Sequence, residues 1–192
     1  MFKGLNVNAV IVAAGKSRRM GDVDKQYIDI GNIPVLARTL LAFDGVDIID
    51  GIVLVVQPGK VNYCIDDIVG KYGISKPYNV VPGGEMRQQS IMNGLSCIKG
   101  QSGIVITHDG ARPFVTPEII ERSVSEAYIN GAAVCAVPVK DTIKVSDSDG
   151  FIKDNPRRDS LYAVQTPQTF RYEILYNAHM QALKDGFTGT DD

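Results

Sequence analysis

Histidine is scarce, with only His108 and His179 among 192 residues. No histidine-based metal cluster and no Ser-His-Asp triad can be assembled convincingly from two such residues. Cysteine is scarce too: Cys64, Cys97 and Cys135 stand far apart without a C-x-x-C pair. That spacing speaks against a zinc site or disulfide framework and leaves buried free thiols as the expectation for all three. No apolar run approaches the length of a membrane span, and Met1-Phe2-Lys3-Gly4 leads into the first strand without a signal-peptide core. A cytoplasmic protein that contacts no membrane is expected. An excess of one charge is also missing, because 20 Lys and Arg against 22 Asp and Glu leave a net charge of −2. A nucleic-acid partner, which needs a basic face, is therefore not expected, and any phosphate affinity should be local to a pocket. There is no internal repeat, low-complexity tract or interdomain linker. A single domain over residues 1–192, long enough for a sizeable core, is the expectation.

What is present is organised around residues 7–27. Val10-Ile11-Val12 reads as a buried strand that breaks into Ala13-Ala14-Gly15, where small side chains let backbone approach a ligand closely. Four cations follow, Lys16, Arg18, Arg19 and Lys25, against only Asp22 and Asp24. Inward-turned N–H groups with cationic side chains make an anion site. Two familiar phosphate loops are excluded by spacing: a Walker A loop needs Gly where Val10 stands, and a G-x-G-x-x-G loop needs its second Gly where Ser17 stands. An ordinary surface turn with solvated charges is the alternative. Position argues against it, since open α/β sheets bind ligands at the C-terminal ends of their strands.

Further along, Gly31-Asn32 marks a turn, Pro34 and Gly45 bracket a helix over 34–43, and the β-branched run 51–56 reads as a parallel strand covered on both faces. A helix over about 61–72 and a strand over 78–81 follow. Strands alternating with helices predict an α/β fold: a Rossmann-like, doubly wound, mostly parallel sheet with helices on both faces. At Pro82-Gly83-Gly84-Glu85-Met86-Arg87 a strand ends in two glycines before a helix over about 86–97. The plain reading is a tight turn and helix start. The sharper one is a nucleobase site built from Gly84, Glu85 and Ser90. Residues 103–115 contain a third stretch, where a buried strand delivers Asp109 at its carboxyl end beside Gly110 and Arg112. A carboxylate there could hold Mg²⁺ together with phosphate oxygens and water, although a lone strand-end Asp is more often a turn former or N-cap. His108 is expected to be a structural hydrogen-bonder. Thr116 and Pro117 start a helix ending near Asn130-Gly131. Residues 132–138 read as another buried strand, 161–164 as a return to the sheet, 165–170 as a turn and 172–184 as a helix. Between them, residues 139–160 form a hairpin too poor in apolar residues to make its own core, so a projecting dimerisation arm is expected rather than a plain surface hairpin.

Taken together, Ala13-Ala14-Gly15, Arg19-Met20, Lys25-Gln26-Tyr27, Gly83-Gly84 with Arg87 and Ser90, His108 to Pro113, Pro138 to Lys144 and Gln165-Thr166-Pro167-Gln168 resemble the 2-C-methyl-D-erythritol 4-phosphate cytidylyltransferase family. The resemblance runs in order over nearly the whole chain. It implies a cytidylyltransferase of non-mevalonate isoprenoid synthesis that moves CMP from CTP to methylerythritol phosphate, with Mg²⁺ as cofactor and a homodimer formed through the arm. By the same resemblance, Arg19 and Lys25 stabilise the transition state, with Arg158 counted among the catalytic cations. Ala13, Ala14 and Gly15 cradle phosphate; Gly84, Glu85, Ser90 and Gly110 surround the cytidine; Asp109 binds Mg²⁺; and Arg112, Thr142, Arg158 and Thr166 contact the acceptor. Asp24 departs from the family's usual proline, and Gly110 from its common Ala. The family also continues beyond Thr190-Asp191-Asp192 with a further strand and helix that carry a second acidic metal ligand and a lysine. Alternatives are a relative acting on another polyol phosphate such as ribitol 5-phosphate, and a truncated nucleotide-binding form without turnover.

Overall fold

The computed structural model describes residues 1–15, 24–98, 100 and 103–189. The first strand, β1 (Val7–Ala13), is apolar apart from Asn8 because both of its faces are covered. Val7, Ala9, Ile11 and Ala13 face one core and Val10 the other, as the two-residue period of a strand requires. A small hairpin, β2 (Asp29–Ile30) and β3 (Ile33–Pro34), follows. Its turn residues Gly31 and Asn32 have φ of 58° and 62°, the left-handed pair that a two-residue hairpin turn demands. Helix α1 (Val35–Asp44) starts directly after Pro34 and stops at Gly45, where the sequence placed its ends.

Strand β4 (Gly51–Val56) matches its expected range. The helix expected over 61–72 is less regular, with a 3₁₀ turn (Pro58–Lys60), a short α2 (Val61–Tyr63) and then π-type turns over Cys64–Gly70. Bonding from i to i+5 brings Cys64 and Val69 onto the same buried side. Strand β5 (Tyr78–Pro82), helix α3 (Arg87–Cys97), strand β6 (Ile104–Asp109) and helix α4 (Pro117–Asn130) follow close to expectation. The chain continues through β7 (Ala132–Pro138), the short pair β8 (Val145–Ser146) and β9 (Ile152–Asp154), then β10 (Tyr162–Arg171) and α5 (Tyr172–Lys184).

Six strands form one sheet in the order β5-β4-β1-β6-β10-β7. β1 pairs in parallel with β4 on one side and β6 on the other, while β10 runs antiparallel to both β6 and β7. On one face Leu36, Leu40 and Phe43 of α1 and Ile120 and Val124 of α4 pack on Ile11, Leu54 and Ile106. On the other, Ile91 and Leu95 of α3 and Leu175 of α5 pack on Val10, Val53, Val55 and Val105. The strand order reverses across β1, so the carboxyl ends of β1, β4 and β6 open a crevice where the fold places ligands.

Four local expectations are corrected. β7 is an edge strand rather than a buried one: Val134 and Val137 are 50% and 47% exposed, because only β10 flanks it. Residues 165–170 continue β10 instead of turning, and a register shift between Val164 and Gln168 takes up Pro167, a place where a missing N–H is tolerated. Cys97 and Cys135 are half-buried, leaving only Cys64 as a buried thiol. Within the arm, pairing is confined to β8 and β9, and the side chain of Asp147 closes their turn by accepting the N–H groups of Asp149 and Phe151 at 3.1 and 2.9 Å.

Candidate active site

The crevice begins where Ala14 and Gly15 leave β1. Beside them the turn after β5 comes in at very close range, its Gly83 N–H bonding the Val56 carbonyl at 2.7 Å. A methyl group on Gly83 would stand 2.3 Å from Ala14 Cβ and 2.8 Å from Ser90 Oγ, so glycine here is what lets the two loops touch. Gly83→Ala is expected to cost ~1–3 kcal/mol of stability through overpacking. The same change at Gly59, where the added methyl meets nothing within 4 Å, should stay within about 0.5 kcal/mol in denaturant unfolding.

Helix α3 is tied to that turn. Gln89 Oε1 accepts the N–H groups of Glu85 and Met86 at 2.9 and 3.3 Å, reaching back over the first turn of the helix. Ser90 is buried, and its hydroxyl accepts from Gly84 N–H and donates to the Met86 carbonyl, both at 3.1 Å. Ser90 therefore shapes the turn between β5 and α3.

Across the crevice, β6 ends in Asp109, whose two oxygens are held by Arg87 Nη1 at 2.7 Å and Arg112 Nε at 2.9 Å. Burial raises the cost of ionising this carboxyl, but the Arg112 hydrogen bond and the nearby Arg87 charge outweigh it and hold its pKa below the ordinary carboxylate value. Asp109 is thus an anion fixed between two cations. Thr166 accepts the Asp109 N–H at 3.2 Å, and Thr39, buried on α1, donates to the Gly110 carbonyl at 2.9 Å.

His108 lies beneath this loop with its ring 4.9 Å from that of Phe43 and Nε2 3.1 Å from the Arg112 carbonyl. Burial holds its pKa down to about 4 from 6.5, with the Arg112 hydrogen bond and the Asp109 charge opposing only in part. The neutral ring donates Nε2–H to that carbonyl. Between pH 6.5 and 4 the unfolded chain binds a proton here that the folded chain does not, so stability rises with pH across the window and is lost as pH falls through it. Unfolding in urea at pH 7.5 and pH 5 should show the wild type losing about 2 kcal/mol that His108→Gln keeps.

Two clefts meet at these residues. One, of about 830 Å³, is lined by Val12, Ala14 and Gly15, by residues 84–87 with Ser90, and by Asp109. The other, about 840 Å³, runs along α4 and β7 past Phe114, Ser123 and Thr166. Lys25, Ala111 and Arg112 line both. A polar, cation-bearing cleft thus opens into a second groove at a lysine and an arginine.

A model of the IspD family, 2-C-methyl-D-erythritol 4-phosphate cytidylyltransferase, matches residues 7–192. The chain belongs to this family. A cytidylyltransferase of Caldanaerobacter subterraneus is 48% identical over 189 residues, covering 98% of this chain and 83% of its own. One from Clostridium novyi is 46% identical, covering 96% and 80%. The crystal structure of 4-diphosphocytidyl-2C-methyl-D-erythritol synthase from Anaerococcus prevotii superposes with a TM-score of 0.85 at 35% identity, covering 97% of this chain and 78% of that one. These likenesses extend over the whole sheet, both of its faces and the arm.

Within this cytidylyltransferase, those residues named from sequence that the structure describes fall into three groups. Ala14, Gly15, Lys25, Gly84, Glu85, Ser90, Asp109 and Arg112 line the first cleft, and Thr166 lines the adjoining groove. Ala13 and Gly110 support the cleft without lining it. Ala13 is buried, and a Cβ on Gly110 would come within 2.9 Å of Leu36 Cδ1 and 3.0 Å of Ala13 Cβ. Alanine at Gly110 would therefore require a small shift of these neighbours. Thr142 and Arg158, on the arm, line neither cleft, and Arg158 Nη1 donates to the Lys140 carbonyl at 3.0 Å. Arg19 lies outside the described residues. Sequence reasoning gave no role to Arg87, Thr39 or Gln57. The position of Arg87 at the start of a helix after two glycines was the available signal for the first, whereas the other two are found only by proximity.

Among the described residues no group of three or more His, Cys, Asp or Glu side chains converges, and no helix is long and apolar enough to cross a membrane.

Proposed function

We propose that the cleft between β1, α3 and β6 binds CTP, that methylerythritol phosphate enters from the adjoining groove, and that CMP transfer takes place where Lys25 and Arg112 line both. That shared lining carries the reading, because a two-substrate transfer needs one pocket for each partner and cations at their junction. An oxygen of the acceptor phosphate attacks the α-phosphorus in line, the bond to the bridging oxygen breaks, and pyrophosphate leaves with the electron pair. The nucleophile is already an anion, so no general base is required. The chain supplies position and charge.

Ala14 and Gly15 offer close backbone approach to the triphosphate. Gly84, Glu85 and Ser90 present the turn at the start of α3 to the cytosine. Lys25, with Arg19, meets charge as it grows around the α-phosphorus, and Arg112 and Thr166 hold the acceptor phosphate. Asp109 supplies a carboxylate at the cleft; its oxygens accept from Arg87 and Arg112, and each keeps a second lone pair for a further partner. That donor set fits Mg²⁺, which takes one or two carboxylates and completes its shell with phosphate oxygens and water. When bound, the ion would neutralise charge on the phosphates.

A homodimer through the arm is part of the same proposal. Val134 and Val137 of β7, Tyr162 and Val164 of β10, and Phe151 and Ile152 at the arm's turn are all exposed, a quantity of apolar surface that monomers seldom leave open. In a partner's embrace, Thr142 and Arg158 would reach the other subunit's groove.

The test is pyrophosphate release from CTP and Mg²⁺ with methylerythritol phosphate, with ribitol 5-phosphate, and with no acceptor. Release with the first alone is expected. Release with ribitol phosphate at equal efficiency would replace the acceptor assignment, and CTP binding without release from any acceptor would leave a nucleotide-binding protein.

A further inference from the structure

The peptide that leaves β1 is held from outside the cleft. Gln57 follows β4, the strand beside β1, and does not line the nucleotide cleft. Its backbone is fixed by the turn that Pro58 opens, with the Lys60 N–H bonding the Gln57 carbonyl at 2.8 Å. Its amide nitrogen donates twice, to the Gly15 carbonyl at 3.2 Å and to Asp24 Oδ2 at 3.0 Å. The other Asp24 oxygen accepts the Gln26 N–H at 3.2 Å, and Gln26 Nε2 reaches the same Gly15 carbonyl at 3.4 Å. Two amides and one carboxylate thus join the end of β1, the end of β4 and the backbone on each side of Lys25.

We infer that Gln57 is a positioning residue for the phosphate-binding turn, fixing the Gly15 carbonyl and, through Asp24, the segment that carries Lys25. A carbonyl oxygen facing a triphosphate would repel it, so a nest for phosphate needs its carbonyls turned away. Both lone pairs of this one are engaged by side-chain N–H groups. The clamp also gives Asp24 a use in this chain, as the acceptor that ties the backbone beside Lys25 to Gln57. Gln57 touches no reacting atom. It acts through Gly15 and Lys25.

The inference rests on the cleft being the CTP site, and its test separates the two. CTP affinity is measured calorimetrically with Mg²⁺ and no acceptor, alongside KM for each substrate and the thermal midpoint. Gln57→Leu, which keeps the volume and removes both donors, should weaken CTP binding and raise its KM about 5- to 10-fold, and lower kcat as the segment carrying Lys25 loosens, with KM for the acceptor unchanged. Gln57→Ala repeats the test should leucine disturb folding. In the double variant Asp24→Asn with Gln57→Glu, residues 24 and 57 can bond with reversed polarity, yet nothing on residue 57 donates to Gly15. It should bind CTP as weakly as Gln57→Leu. Affinity within twofold of wild type in both Gln57→Leu and Gln57→Ala, or full recovery in the double variant, overturns the clamp. Wild type failing to bind CTP overturns both the clamp and the nucleotide reading.

Discussion

Replacing Lys25 with alanine is expected to lower kcat by a factor of about 10² to 10³ while changing KM for CTP much less, if the lysine has the weight of one oxyanion-stabilising donor. The argument is electrostatic. In the ground state the triphosphate's charge is spread along its length and can be met by backbone, water and metal. In the transition state charge concentrates on the oxygens at the α-phosphorus and on the departing pyrophosphate, and a cation already fixed there needs no reorganisation. Lys25 stands where the two clefts join, next to Gln26, which is buried and bonds the Gly15 carbonyl. Steady-state kinetics with both substrates varied provides the check. A kcat unchanged in Lys25→Ala would remove the lysine from this role, and a loss confined to KM would make it a binding group only.

The parts of this molecule that were legible in sequence are those in which a local pattern has one physical solution. The run Gly51–Val56 has no alternation because α1 covers one face and α3 the other, and a strand buried twice can only read as continuous. Pro34 and Gly45 mark the ends of α1 because proline's missing N–H is an orphan at a helix start, and glycine is well tolerated where a helix stops. Asp109 was legible as a strand-end carboxylate for the same local reason. The misreadings have the opposite character. The small residues of β7 suit an interior strand and an edge equally well, and only the sheet order decides between them. Pro167 suggested a turn because proline breaks most strands; the register shift that accommodates it is a property of the pairing with β7, about thirty residues earlier in the chain. The Arg87–Asp109 ion pair and the Gln57–Gly15 hydrogen bond span 22 and 42 residues. No spacing rule reaches that far, so such contacts are found only when the fold brings α3 to β6 and the end of β4 to the end of β1.

The second large effect concerns the arm. Arg158→Ala is expected to lower kcat/KM for the acceptor by about 10²-fold, the scale for removing one charge-assisted contact to a phosphate, with CTP affinity unchanged. In one chain Arg158 lines neither cleft and is bonded to the Lys140 carbonyl. If it acts, it acts on a partner's site, and this makes a sharper prediction than the loss itself. Lys25→Ala damages the subunit that carries it, whereas Arg158→Ala damages the neighbour's site. When the two variants are co-expressed, half of the dimers are mixed, and each mixed dimer contains one site lacking both groups and one site lacking neither. Two nearly inactive proteins should therefore regain about one quarter of wild-type activity, as a two-fold symmetric pair with exchanged arms requires. Activity that stays at the level of the separate variants, with dimers demonstrated by sedimentation, would confine Arg158 to its own chain or exclude it from the reaction. Monomers in sedimentation would refute the arm as a dimer contact, and the exposed faces of β7 and β10 would then need another explanation.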